Sequence, residues 1–250
     1  NNDATMTSIT GTVRVGTTDQ DLYTLVLNPA TGRYDFTMIG SVPGSQLSLD
    51  VNDIKAGGPN SNSIVVGALN DARSIEIAGT GGPINESNDN VGVTNGNLDS
   101  GEALTFRLLN GTTELDFQGI SIGTKTASGG TYNWSATPAA GGAALTGSVT
   151  IAKNAAIVIL PSDVGNVLID SITITKASGS TTKIGLDVID IFVPPSDIQL
   201  GFTVELKDGD NDTTTQSFVV DIDADNDGDW ESNVSALSLP LQDSSVFMSS

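Results

Sequence analysis

Apolar and polar residues alternate along much of this chain with the two-residue period of a strand that buries one face. Val13 and Val15 alternate with polar neighbours, as do Tyr23, Leu25 and Leu27, and then Tyr34, Phe36 and Met38. Asn28-Pro29-Ala30-Thr31-Gly32, between the last two runs, has the composition of a turn, so the pattern predicts a hairpin. The same grammar returns near the other end. Phe202, Val204 and Leu206 alternate, Asp208-Gly209-Asp210-Asn211-Asp212 turns the chain, and Phe218, Val220 and Ile222 alternate again. Each hairpin has one apolar face.

Between them lie many short apolar runs, among them Ile64–Val66, Ile75–Ile77, Leu104–Leu108, Leu115–Phe117, Ile120–Ile122, Ile157–Leu160, Val167–Ile169, Ile172–Ile174 and Ile184–Val193. Gly, Ser, Asn and Thr clusters separate them, and none carries the 3.6-residue period of a helix. Short strands at this spacing predict a β-sandwich or jelly roll. A hairpin alone is marginal in water. Residues 1–41 and 197–223 are therefore expected to form one small, split Ig-like β-sandwich domain. Residues 42–196 are then an inserted β-sandwich or jelly-roll module, entered at Val42-Pro43-Gly44 and left at Val193-Pro194-Pro195-Ser196. Residues 224–250 follow as an acidic, calcium-type loop and tail.

Charge narrows the function. The 250 residues include 30 acidic and 10 basic side chains, a net charge of −20, with no His and no Cys. Its plentiful Leu, Ile and Val mark a folded chain rather than a disordered acidic one. A negative field excludes nucleic acid and anionic membrane surfaces as partners. The longest apolar stretch, Ala155–Pro161, has strand length, so no membrane insertion is expected. No signal peptide is visible at Asn1, which suggests a piece of a longer chain. Without His or Cys there is no Ser-His-Asp triad, no cysteine nucleophile and no usual zinc site. Phosphate-binding glycine motifs are missing as well. A pair of carboxylates for glycoside hydrolysis has no specificity in so acidic a chain. The chain therefore reads as a binding protein, not an enzyme.

The carboxylates are not evenly spread. Between Asp187 and Glu231 there are 13 acidic residues and one Lys. Asp208, Asp210 and Asp212 alternate in a turn, and Asp223, Asp225 and Asp227 precede Gly228 in a D-x-D-x-D-G pattern. Alternate carboxylates in a tight turn converge on one point, and calcium takes six to eight oxygens in a flexible cage. The second pattern departs from a helix-flanked calcium loop at its twelfth position, Val234, where a bidentate Glu is expected. A further oxygen-rich stretch runs from Asn88 to Glu102. It reads as a rim loop able to hold a cation with open coordination positions. Asp187 and Asp190 interrupt the apolar run Gly185–Ile191, where a carboxylate is costly unless paired or metal-bound. Tyr132 and Trp134 read either as sandwich core or as an aromatic ligand platform.

Leu200–Ile222 resembles the final hairpin of the repeated domains in giant RTX adhesins, and Leu22–Ile39 resembles their opening hairpin. Those adhesins are long surface proteins of Gram-negative bacteria, exported by type I secretion, stiffened by calcium and active in cell adhesion and biofilms. Asn90-Val-Gly-Val, Leu98-Asp-Ser-Gly-Glu102 and the run Gly185–Ile191 resemble the ligand-binding modules of the same proteins. The resemblance implies an extracellular, calcium-dependent adhesion module on the bacterial surface, joined to neighbouring domains of a longer chain. It also implies capture of a partner protein's C-terminal peptide through bound Ca2+. Asp99, Glu102, Asp187 and Asp190 are then candidate ligands of the site cation, and Asn88, Asp89, Asn90, Asn95 and Asn97 candidate ligand contacts. Asp208, Asp210, Asp212, Asp223, Asp225 and Asp227 are candidate structural calcium ligands. Two alternatives stand beside this reading: a calcium-dependent module for a glycan on another cell, and a purely structural, calcium-stiffened extender.

Overall fold

The computed structural model describes residues 7–15, 17–28, 31–50, 58–67, 72–87, 89–126, 128–207 and 212–224. Among them the chain is all-β, with one short 3-10 turn at Pro161–Val164 and no α-helix. It divides into two compact units, 1–195 and 196–250.

The first unit opens with β1 (Thr7–Val15), β2 (Thr18–Asn28) and β3 (Arg33–Met38), an antiparallel three-stranded sheet in that order. Tyr23 stacks on its neighbour Phe36 with ring centroids 5.0 Å apart. On the other side its ring covers Gly11, where an added Cβ would lie 2.1 Å from the ring. Gly32, at φ +65°, supplies the left-handed residue that closes the turn between β2 and β3, and its N–H donates to Asn28 O.

Two larger sheets follow. The first contains β6 (Ser63–Gly67), β7 (Arg73–Thr80), β10 (Ala103–Asn110), β11 (Thr113–Leu115), β13 (Gly130–Pro138), β14 (Leu145–Ile151) and β16 (Ile169–Gly179). Their order is β14-β13-β16-β10-β7-β6, with β11 beside β10. The second contains β4 (Ser45–Asp50), β5 (Gly58–Ser61), β8 (Ile84–Glu86), β9 (Asn90–Val93), β12 (Gly119–Thr126), β15 (Ile157–Ile159) and β17 (Thr182–Val193). Its order is β15-β12-β17-β9-β8-β5, with β4 also paired to β17.

Alternation along these strands builds one core. Ile75, Ile77, Leu104, Phe106, Tyr132, Trp134, Ala136, Ile172 and Ile174 come from the first sheet. Leu49, Ile84, Val91, Val93, Ile120, Ile122, Ile157, Ile159, Ile184, Ile189 and Ile191 come from the second. Each fully buried aliphatic or aromatic side chain contributes about 1.5–3 kcal/mol, so this shared core dominates the fold. The arrangement is that of a β-sandwich. Tyr132 and Trp134 lie in the core, at 0% and 8% exposure.

The second unit contains β18 (Ile198–Lys207) and β19 (Thr213–Ile222), an antiparallel hairpin in unbroken register from Ile198↔Ile222 to Lys207↔Thr213. Phe202 and Phe218 are directly opposite and stack at 5.2 Å. This is the cross-strand aromatic pair that the alternation pattern places there.

A candidate ligand-binding rim

The stretch Asn88–Glu102, read from sequence as one rim loop, is half strand and half loop. Val91 and Val93 are fully buried, so the residues around them are drawn into β9 between β8 and β17. Asn90 is buried with them, its Nδ2 donating to Ser87 O at 3.0 Å. Asp89 adopts φ +59°, and its carbonyl accepts the N–H of Leu186 at 2.8 Å. Asn88 lies outside the described residues. The loop proper begins at Thr94 and returns to the sheet at Ala103.

This loop is internally braced. Asn95 Nδ2 donates to Asp99 Oδ2 at 2.9 Å, and Asn95 Oδ1 accepts the N–H of Asn97 at 3.0 Å. The Asp99 N–H donates to Glu102 Oε2 at 2.8 Å, and the Glu102 N–H donates to Asp99 O at 3.1 Å. Gly101, at φ +87°, makes the reversal between them possible. Leu98 N–H donates to Thr182 O, and the backbone of Ser100 pairs with Lys176. The Asp99–Glu102 turn therefore sits over the junction of β16 and β17.

Asp187 and Asp190 lie elsewhere. The register of β12 with β17 jumps from Gly123↔Gly185 to Ile122↔Ile189, so Leu186, Asp187 and Val188 form a bulge. There β17 exchanges β9 for β4 as its partner. Asp187 is exposed on this bulge, which explains a carboxylate inside an apolar run. Asp190 accepts a hydrogen bond from Ser48 Oγ at 2.5 Å. Five residues of strand separate Thr182 from Asp187, about 15 Å, so neither reaches the Asp99–Glu102 turn. Among the described residues no three acidic side chains come together to hold a metal ion. Asp212 and Asp223 are exposed at the two ends of β19, whereas Asp208, Asp210, Asp225 and Asp227 lie outside the described residues.

The donor set of the turn suits calcium in kind and falls short in number. Asp99 and Glu102 each commit one carboxylate oxygen to the loop's own bonds, leaving one apiece. A calcium ion there would take most of its six to eight oxygens from water or a ligand.

The same rim carries lysines that the sequence reading passed over. Lys176 continues the inward series Ile172, Ile174 and is 8% exposed. Within the described residues it has no ion pair or hydrogen-bonded side-chain partner. The alternation itself flags it, since a charge at an inward position needs a reason. Lys125 and Lys183 stand directly opposite one another in β12 and β17, an unfavourable like-charge pair. Lys183 Nζ donates to Ser87 Oγ at 3.3 Å. Lys153 precedes Asn154, whose Oδ1 accepts the N–H of Thr126 at the end of β12. Four of the ten basic residues of the chain thus gather around one end of the sandwich.

Beneath them Tyr132 and Thr182 join the two sheets, with the phenol and hydroxyl oxygens 2.5 Å apart. Burial raises the phenol pKa above its usual value, and the bond to Thr182 opposes that shift. No protein-family profile, curated protein or solved structure matches this chain.

Proposed function

We propose that this protein is a non-catalytic, extracellular adhesion module that captures the C-terminal carboxylate of a partner protein at the Asp99–Glu102 rim. The carrying observation is the braced Asp99–Glu102 turn paired through Ser100 to Lys176, at the end of the sandwich where Lys125, Lys153 and Lys183 also lie, in a chain of net charge −20. Lys176 packs its aliphatic stem among inward positions and carries its ammonium to the solvent edge beside Ser100, where it can meet a carboxylate. Asp99 and Glu102 supply the oxygen donors for a calcium ion shared with the ligand, and Asn95 holds Asp99 in place. Lysines and a bound cation together favour an anionic chain end over the rest of a peptide.

The test is calorimetric titration with a library of free-carboxylate hexapeptides and their amidated counterparts, with calcium and with EDTA. Calcium-dependent binding that amidation abolishes is the expected result. Equal affinity for the amidated peptides would sink the proposal. Binding that needs the free carboxylate and survives EDTA would leave capture to the lysines alone and remove calcium from it.

The calcium-dependent glycan alternative loses its aromatic platform, because Tyr132 and Trp134 are core residues. The finer architecture belongs to the same proposal: a jelly-roll-type module carried by a split Ig-like domain, in an adhesin similar to the RTX group. What supports the split is the complementary patterning of the two end segments. β1–β3 and β18–β19 each present one apolar face, and a sandwich needs two. Cleavage between 42 and 196 should leave the two end fragments associated on a sizing column, and their separation would overturn the split.

A further inference from the structure

The outer face of the first large sheet is nearly free of charge in this acidic molecule. Strand register arranges its side chains in rows across the strands. One row runs Thr105, Thr173, Ser135, Thr146 through β10, β16, β13 and β14, and the next runs Ala103, Thr175, Asn133, Ser148. Thr131 lies opposite Thr150 on one side of these rows, and Thr137 opposite Ser171 on the other. Neighbouring strands stand about 4.8 Å apart and successive rows about 6.8 Å apart, so the face is a compact lattice of hydroxyls. Arg107, two positions beyond Thr105 on β10, is paired with Glu76 at 3.1 Å and with Glu114 at 3.8 Å.

The perimeter of this lattice satisfies itself. Thr105 and Thr173 hydroxyls are 2.9 Å apart, those of Thr131 and Thr150 also 2.9 Å, and Ser171 Oγ donates to Thr137 Oγ1 at 3.2 Å. The centre does not. Among the described residues the side chains of Asn133, Ser135, Thr146, Ser148 and Thr175 have no hydrogen-bond partner. These five, with Trp134 and Gly147, line an open depression of about 520 Å³. Gly147 shows only its backbone to the depression, and its missing side chain leaves room on the core side for the Trp134 ring.

We propose that this depression is a second binding site, for a neutral polyhydroxylated ligand of the oligosaccharide class, held by hydrogen bonds without a metal. Every group lining the centre is uncharged, and a hydroxyl both donates and accepts, as does each hydroxyl of a sugar. Asn133 adds a paired amide donor and acceptor. A ligand without charge also escapes the repulsion that the −20 field imposes on anions. Trp134 is too buried to stack, so each site is weak, with affinity on the order of millimolar. The site is independent of the lysine rim and of calcium.

The test uses the full chain in EDTA, titrated with cellohexaose, maltohexaose and mannohexaose by saturation-transfer NMR. Saturable binding of at least one sugar, unchanged by about 0.5 M salt, is expected because no charge takes part. The double variant Asn133→Ala/Ser148→Ala should lower that affinity about fivefold, with the melting temperature unchanged. The proposal is overturned if none of the three sugars binds, or if the double variant binds as the parent does. Binding that requires calcium also overturns it, by moving the sugar to the rim.

Discussion

The rim and the outer sheet face belong to one sandwich and share β16, yet they carry opposite chemistry. At the rim, strand lysines lie at the same end of the sandwich as the Asp99–Glu102 loop, and the stem of Lys176 is held at an inward position. On the face, five uncharged groups surround a depression, and Arg107 beside it is held by Glu76 and Glu114. The difference lies in what each strand position can tolerate. A sheet face repeats regularly, so neutral residues extend across it without conflict. A rim interrupts the repeat with loops and bulges, and there charged residues are accommodated at the strand ends. The contrast separates a proposed site read by charge from a proposed site read by hydrogen bonding, and four variants break or sharpen it.

The largest effect comes from the scaffold that both share. Phe106 is fully buried where the two sheets meet. Phe106→Ala should cost about 3–5 kcal/mol, because the cavity cannot collapse between two paired sheets. Urea denaturation followed by fluorescence measures that loss. Peptide and sugar binding should disappear together as the variant unfolds. Loss of one with retention of the other would show that rim and face do not depend on a common core.

Lys176 separates the two sites. Lys176→Met keeps the side-chain length and removes the charge. Affinity for a free-carboxylate peptide should fall on the order of 30-fold, about 2 kcal/mol, the scale of losing a hydrogen bond to a charged group. Sugar affinity should not change. Stability should not fall, since a charge at an inward position becomes an apolar group. An unchanged peptide affinity would remove Lys176 from the site. Lys125→Gln gives the matching control at an exposed position, with a smaller loss that salt erases.

Much of this arrangement is legible in the sequence, and the limits have physical causes. Both hairpins, the all-β class and most core strands follow from period-two alternation. Phe202 and Phe218 come to face each other as that pattern requires. β13 and β14 were less visible, because Ser, Thr and Gly fill the outward positions and, at Gly147, an inward one. β9 hid inside a stretch rich in Asn and Asp, although Val91 and Val93 mark its buried positions. Asp187 and Asp190 looked like ligands because an apolar run makes a carboxylate seem to need a metal. A β-bulge and the hydroxyl of Ser48 accommodate them instead. No local pattern reports that Lys125 faces Lys183 or that Ser100 meets Lys176, since both pairings depend on register between segments far apart in the chain.

Tyr132→Phe gives the smallest effect and sharpens the comparison furthest. The phenol belongs to the first sheet and its partner Thr182 to the second, next to the backbone contact that anchors Leu98 of the rim loop. Removing one hydroxyl should cost about 1 kcal/mol, the net worth of a typical internal hydrogen bond. The pH dependence fixes the interpretation. Burial raises the folded-state phenol pKa, so the folded protein binds its proton more tightly than the unfolded chain does. That contribution is complete below the ordinary tyrosine value of about 10 and is lost as pH rises through the raised folded-state value. Parent stability should therefore decline above about pH 10, and the variant should decline less steeply. Some slope will remain, because burial raises Tyr23 as well. Thr182 keeps its own bond to Ser180 O in the variant, so the rim loop loosens without losing its anchor. Peptide affinity should then weaken modestly while sugar affinity stays constant. An equal loss at both sites would mean that the Tyr132–Thr182 bridge stiffens the whole sandwich rather than the rim it underlies.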